Sequence, residues 1–290
     1  MTRELRLAGP WLCALATCAL LLALAPSAWA QGKTLFVPET TSRLGPVTPA
    51  TVADDEAAAD DAAGSVTPVL AAMLGTVPPN AEIAGLELDT KLPPALALDI
   101  TAPLPGLAAP VTPRDVVTWN PNTSTFSLLF DGAANGVPPN AKIDAVSYSA
   151  TGQLLLSFDT TVALPGVTAD DEDLVSWSPG PVYAMFFDGS ANGVPTNLDL
   201  DAASRLDFTS NILLLSFDGS GVIAGIPFDD EDVLEFDPGT STWSMYADSS
   251  LSDPGNWPRT DLVALPEPGA GLSLLAGAAL LAWLTRRRRR

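Results

Sequence analysis

The chain has 290 residues and a formal net charge of −20, with 14 Lys and Arg against 34 Asp and Glu. A surface of that sign repels nucleic acid and anionic lipid. There is no histidine, and the only cysteines are Cys13 and Cys18, which removes the commonest general base, the usual catalytic triads and nearly all zinc chemistry.

Residues 1–30 open with Arg3 and Arg6, continue as an apolar run from Pro10 to Leu24, and end on Ala28-Trp29-Ala30 before Gln31. A basic start, a short apolar core and a small-residue site predict a secretory signal cut between Ala30 and Gln31, in preference to a membrane helix. Both cysteines leave with that segment, so the exported chain has no disulfide and no thiolate metal site. Residues 31–285 then carry seven basic against 33 acidic side chains, a net −26. Such a domain is soluble outside the cell and attracts cations.

The middle of the chain repeats itself. LLLSFD at 154–159 returns at 213–218, ADDEDLVSW at 169–177 is answered by FDDEDVLEF at 228–236, and FDGAANGVPPN at 130–140 by FDGSANGVPTN at 187–197. Earlier copies are weaker: LALDITAPLPG at 96–106 matches 155–166, and Ala53-Asp54-Asp55-Glu56 matches Ala169 to Glu172. In that first copy Asp61 stands where a tryptophan is expected. The units fall near 32–75, 80–132, 140–189 and 198–249, with a period of about 57–60 residues.

Each unit reads as four strands between Gly, Pro, Asp and Asn turns. In the last unit they lie near 199–208, 212–218, 232–237 and 241–247. Within the second strand Ile212 to Leu215 is apolar throughout, as a strand buried on both faces should be. The third places Trp119, Trp177 and Phe236 at equivalent positions, next to polar Thr118, Ser176 and Glu235. The fourth alternates Phe126, Tyr183 and Trp243 with Ser127, Ala184 and Ser244, followed by Leu128, Met185 and Met245. The fold expected is all-β, a four-bladed propeller whose first blade begins at its second strand (32–39) and is closed by residues 260–265. A β-sandwich, or an open stack of three repeats, is the alternative. The units resemble tandem β-repeats of other exported bacterial proteins, a likeness that carries no activity with it.

Two loops concentrate carboxylates: Asp170-Asp171-Glu172-Asp173 and Asp229-Asp230-Glu231-Asp232. Clustered carboxylates on a strand-connecting loop suit Ca²⁺, which takes six to eight oxygen ligands. The competing reading is a solvated acidic turn whose last aspartate caps the following strand, the commoner fate of a charge run. The turns opening on Asp131 and Asp188, with Asn135 and Asn192 inside them, supply Asp, Asn and Gly chiefly for turn geometry. Paired carboxylates also hydrolyse glycosides without histidine. Catalysis, however, needs a unique pair in unlike environments, and here the carboxylates recur with the repeat. The sequence therefore points to a non-enzymatic structural or binding protein, with a calcium-assisted carbohydrate-binding module and a glycan hydrolase as the alternatives.

The chain ends on Leu265-Pro266-Glu267-Pro268-Gly269, an apolar stretch over 269–284, and Arg286, Arg287, Arg288, Arg289 and Arg290. Sixteen residues of helix span about 24 Å, slightly short of a hydrocarbon core of about 30 Å. The arginines can reach the interface, and they place the tail inside and the domain outside. The order of Pro266, Glu267 and Pro268, a short membrane helix and an arginine cluster resembles the PEP-CTERM sorting signal. That resemblance covers residues 266–290. It implies processing by an exosortase, in addition to signal peptidase at the other end, in Gram-negative bacteria that make exopolysaccharide. It points to export, transient membrane anchoring and residence at the cell surface or outside it, with exopolysaccharide as a candidate partner. A Gram-positive sortase signal would need threonine where Pro268 stands.

Overall fold

The computed structural model describes residues 34–36, 42–44, 50–52, 58–60, 66–68, 77–78, 81–88, 92–206 and 211–248. The signal segment with Ala28, Ala30 and Gln31, the strand expected at 260–265, Pro266 to Pro268, the apolar stretch 269–284 and Arg286 to Arg290 lie outside the described residues. Among the described residues no helix is long and apolar enough to cross a membrane.

The described residues are all-β and antiparallel, apart from one 3-10 turn at Ser190–Asn192. Strands β1 (Thr34–Phe36), β4 (Ala58–Asp60) and β5 (Val66–Pro68) form a three-stranded sheet in the order β1-β4-β5, while β2 (Ser42–Leu44) and β3 (Ala50–Val52) form a hairpin between β1 and β4 in sequence. A second sheet follows chain order through β6 (Ile83–Glu87), β7 (Ala95–Leu98), β8 (Val116–Asn120) and β9 (Thr125–Phe130). The third sheet is β10 (Ile143–Tyr148), β11 (Leu154–Phe158), β14 (Leu174–Ser178) and β15 (Val182–Phe187), and the hairpin of β12 (Val162–Leu164) and β13 (Val167–Ala169) lies between β11 and β14 in sequence. The fourth repeats that plan: β16 (Ala202–Arg205), β17 (Leu213–Ser216), hairpin β18 (Gly221–Ile223) and β19 (Ile226–Phe228), β20 (Val233–Asp237) and β21 (Thr242–Ala247).

Four strands per unit agree with the sequence reading in the three full units. The hairpin between the second and third strands was not anticipated. It is only three residues a side, too short for alternation to register, and in the β6–β9 sheet it shrinks to one bridge between Ala102 and Val111. It is nevertheless part of the core: Val162, Leu164 and Ala169 are buried.

Two core clusters bridge neighbouring sheets, and a third lines one face of the β6–β9 sheet. Ala95, Ala97, Val116 and Phe130 of the β6–β9 sheet pack with Ile143, Leu156 and Phe158 of the next. Ala145, Leu174 and Phe187 pack in turn with Leu213, Leu215 and Phe236. The second strands β7, β11 and β17 are buried at every position, which accounts for their largely apolar sequence, the buried Ser157 and Ser216 donating to carbonyls of the acidic loops.

The first strands of the three complete sheets converge, β10 packing against both β6 and β16. Gly85 allows the approach: a Cβ there would lie 2.9 Å from Cγ2 of Val146 and 3.1 Å from the Asp144 carbonyl oxygen. At the next inward position the three strands carry Glu87, Ser147 and Ser204, which pair with Ala95, Leu155 and Leu214 in their own sheets and so are equivalent. The Glu87 carboxylate, only 6% exposed, accepts hydrogen bonds from Ser147 Oγ at 2.7 Å and Ser204 Oγ at 3.2 Å. Beside it the Arg205 guanidinium donates to the Tyr148 carbonyl, and the Tyr148 hydroxyl donates to the Pro93 carbonyl at 3.0 Å.

Removing a buried acceptor strands its donors, a loss of about 1–3 kcal/mol for each unsatisfied group. Glu87→Ala is therefore expected to lower unfolding free energy by about 3 kcal/mol, and Glu87→Gln, which keeps an acceptor oxygen, by less. Urea unfolding of the two variants measures the difference; equal losses would show that a retained acceptor oxygen contributes nothing at this position.

Candidate functional site

The acidic loops run from the end of each inserted hairpin into the third strand. Asp173 is buried and makes two backbone contacts. Its Oδ2 accepts from the Asp170 N–H at 3.0 Å, and its Oδ1 accepts from the Gly189 N–H at 2.8 Å, beyond the fourth strand. Asp232 repeats the first contact on the Asp229 N–H at 3.0 Å. Asp115 does the same in the β6–β9 sheet, accepting from Thr112 N–H at 2.8 Å, Thr112 Oγ1 at 2.6 Å and Gly132 N–H at 2.9 Å. The last aspartate thus closes the turn on its own first residue, where a cap on the following strand was expected, and does so from a buried position rather than a solvated one.

Sequence reasoning passed over Asp115 because Thr112-Pro113-Arg114-Asp115 carries a single carboxylate. A carboxylate three residues after a donor, with a glycine 16 or 17 residues further on, is the signal that finds it. It also passed over Asp99, Asp159 and Asp218. Each accepts, through Oδ1, the backbone N–H at the start of its own sheet: Glu82 at 2.7 Å, Lys142 at 2.8 Å and Asp199 at 2.9 Å.

The glycine-rich turns have two separate requirements. Gly136 and Gly193 have φ of 85° and 90°, where a side chain is strained. Gly132 and Gly189 instead leave no room, since a Cβ would collide with the backbone of Arg114 and of Glu172. Within each turn the Asn135 and Asn192 amides donate to the Asp131 and Asp188 carbonyls, both at 2.7 Å. Each turn also reaches the next sheet. The Tyr183 hydroxyl donates to the Asn135 carbonyl at 3.0 Å, and Trp243 Nε1 to the Asn192 carbonyl at 3.0 Å. Burial pushes the Tyr183 phenol up, keeping it a neutral donor.

Three carboxyls are not absorbed in this way. Glu172 is 1% exposed and its Oε2 has no hydrogen-bond partner among the described residues. Burial, then a hydrogen bond with Asp171 and the charges of Asp173 and Asp171, pushes it up to about 7. Glu231 is pushed to about 7 by burial and by Asp230 and Asp232. Asp199, whose Oδ1 is also buried and unpartnered, is pushed to about 7 by burial and the charges of Asp171, Asp218 and Asp159. Burial raises Asp173 as well.

Asp170, Asp171, Glu172 and Asp173 therefore share one turn, and Asp229, Asp230, Glu231 and Asp232 share its counterpart in the next sheet. Among the described residues no three or more Asp and Glu converge closely enough to hold a metal ion. What the arrangement does chemically is retain protons near neutrality.

A second feature lies between the third and fourth sheets. A cavity of about 410 Å³ opens there, lined by Met185, Phe187, Asn192, Asn211, Leu213 and Phe236 among others. Met185 shares a strand face with buried Tyr183 but is 36% exposed, because β15 is the outer strand of its sheet.

No protein-family model matches the chain, and no curated protein matches it. Among solved structures it is similar to YCF48 bound to D1 peptide, at 8% identity and a TM-score of 0.33, covering 71% of this chain and 51% of that one. It is also similar to the extracellular domain of BT4673 from B. thetaiotaomicron, at 11% identity and a TM-score of 0.32, covering 74% of this chain and 28% of that one. The chain spans about half the length of the first and less of the second, and neither likeness is close enough to carry an argument.

Glu172 and Glu231 have ordinary values of 4.5 and Asp199 of 3.8, against about 7 in the fold. The folded protein holds protons that the unfolded chain releases, so this stability is complete below about pH 4 and is lost as pH rises to about 7. Thermal melting at intervals from pH 4 to 8 should show Tm falling across that window. Glu172→Gln, which has no proton to lose, should flatten the fall; an unchanged slope would remove Glu172 as a contributor.

Proposed function

We propose that this is a non-enzymatic, exported, acidic β-repeat protein, sorted through a PEP-type tag and working at the cell surface or in the extracellular matrix. The C-terminal arrangement of Pro266, Glu267 and Pro268, the apolar stretch 269–284 and Arg286 to Arg290 carries the reading. The tag follows a domain suited to life outside: strongly negative, free of thiols once the signal is removed, and built without histidine. The non-enzymatic part is supported by the fate of the aspartates, which accept backbone N–H groups at the same places in successive sheets. The raised carboxyl beside Asp171 likewise has its counterpart beside Asp230.

The reading includes a closed four-bladed propeller. The three-stranded sheet β1-β4-β5 has its hairpin after β1, just as the other sheets have theirs, or a bridge in its place, after the second strand. The place that β6, β10 and β16 take elsewhere has no strand beside β1 among the described residues. Residues 260–265 supply that strand in this proposal, ending immediately before Pro266, so that processing at the tag leaves the ring whole.

Two measurements test these parts separately. Expressed in a Gram-negative host with an exosortase, the chain should lose the mass of its arginine-bearing end, and deletion of the exosortase gene should restore it. An unaltered C-terminus in the competent host would sink the sorting assignment. A chain ending before Thr260 should melt well below one ending at Leu265; coincident melts would refute the closure.

A further inference from the structure

The chain contains two Asn-Gly pairs, Asn135-Gly136 and Asn192-Gly193, at equivalent places in successive sheets. Each sits within the same five residues, Ala-Asn-Gly-Val-Pro, at 134–138 and 191–195. Asparagine deamidates most readily before glycine, which has no Cβ to shield the backbone nitrogen that attacks the side-chain amide. With identical neighbours the two pairs share one intrinsic reactivity, so any difference between them comes from the fold.

The fold holds them unequally. Both Nδ2 groups donate to the carbonyl four residues earlier at 2.7 Å. Both glycine N–H groups donate within the turn, Gly136 to Ala133 at 3.4 Å and Gly193 to Ser190 at 3.2 Å. The Asn135 carboxamide has a further hold, because its Oδ1 accepts from Trp177 Nε1 at 3.1 Å. Asn192 Oδ1 has no such partner among the described residues: Phe236 stands at the equivalent of Trp177, and a phenyl ring has no N–H. The glycines differ as well. A Cβ on Gly136 would lie 3.2 Å from Pro165 Cγ, whereas around Gly193 nothing lies within 4 Å.

We propose that Asn192 is a site of spontaneous deamidation in the folded protein, and that Asn135 is protected from it. Hydroxide removes the Gly193 amide proton, and the nitrogen attacks Asn192 Cγ. The N–Cγ bond forms, the Cγ–Nδ2 bond breaks, and Nδ2 leaves as ammonia with a proton from water, which regenerates hydroxide. Water then opens the five-membered imide by breaking one of its two C–N bonds. Opening at Cγ gives aspartate. Opening at the α-carbonyl gives iso-aspartate, with the main chain passing through Cβ and Cγ. Either product adds one negative charge to the turn. In iso-aspartate the carbonyl that Trp243 Nε1 holds becomes a free carboxylate outside the main chain. Ring closure requires the carboxamide to leave its hydrogen bonds and turn toward the following nitrogen. One hydrogen bond fewer makes that opening about fivefold more frequent. The inference is independent of export, since both pairs lie within the repeat domain.

The test is incubation of the full chain, folded in mild detergent, in mildly alkaline buffer. Peptide mapping by mass spectrometry and enzymatic methylation of iso-aspartate then follow each site. Asn192 should convert at least about fivefold faster than Asn135. In concentrated urea the two should convert at one rate. Trp177→Phe, which installs at one junction the ring found at the other, should raise the Asn135 rate toward that of Asn192 in a chain that still melts cooperatively. The proposal is overturned if the folded chain converts both at equal rates, if Asn135 is the faster, or if Asn192 stays intact while the urea-unfolded chain converts. That comparison needs no substitution and decides the matter even where Trp177→Phe fails to fold. A folded Trp177→Phe chain with an unchanged Asn135 rate would overturn the protection assigned to the indole.

Discussion

The structure depends on the close approach of the first strands at Glu87. Three sheets present equivalent positions to one another there, and a single carboxylate on β6 accepts from serines on β10 and β16. A buried carboxylate without donors is expensive, so it settles only where other strands bring hydroxyls to it. The pair of serines has no such demand by itself. Glu87 therefore sets the register between sheets: sliding β10 or β16 by one residue would turn Ser147 or Ser204 away from the carboxylate. Gly85 beside it removes the one Cβ that would keep β6 and β10 apart.

Once the inner strands are fixed, the outer parts of each sheet must be tied back to them, and aspartates do this. Asp99, Asp159 and Asp218 fasten the end of the second strand to the start of the first. Asp115 and Asp173 fasten the acidic turn to the turn beyond the fourth strand. The scheme uses short side chains with two acceptor oxygens, placed where backbone N–H groups would otherwise lack partners. Its consequence is crowding. The clasps of neighbouring sheets meet around Asp199, whose neighbours include Asp171, Asp218 and Asp159, and no proton can leave Asp199 or Glu172 at its usual pH. The pH sensitivity is thus a by-product of the joinery rather than a separate device.

Much of this was legible in the sequence, because repetition shows which residues share a position. The spacing of LLLSFD and of the Asp-Asp-Glu-Asp loops located the second and third strands, and unbroken apolar runs foretold strands buried on both faces. The last aspartate of the loop was read as a cap on the following strand; it closes its own turn instead. Three things did not show. The inserted hairpins are too short for a period to appear. Asp115 sits in a loop whose other carboxylates are absent, so composition hid a position that geometry reveals. Glu87 differs from Ser147 and Ser204, and comparing copies for likeness passes over it, although its partners lie 60 and 117 residues away.

Those misses share a cause that bears on where function lies. Positions that agree between repeats are held by the requirements of building a sheet and joining it to the next. Positions that disagree are released from them, or serve the ring as a whole. Glu87 against Ser147 and Ser204 is of the second kind, since three strands meeting at one point need one acceptor and not three. Phe236 against Trp177 is of the first kind: the junction holds with the smaller ring, because Trp243 stacks on Phe236 and bonds to the Asn192 carbonyl. The indole of Trp243 thus makes up, at the Tyr183 position, for the indole that the third strand lacks, and the aromatic packing of the junction is kept with its two rings exchanged.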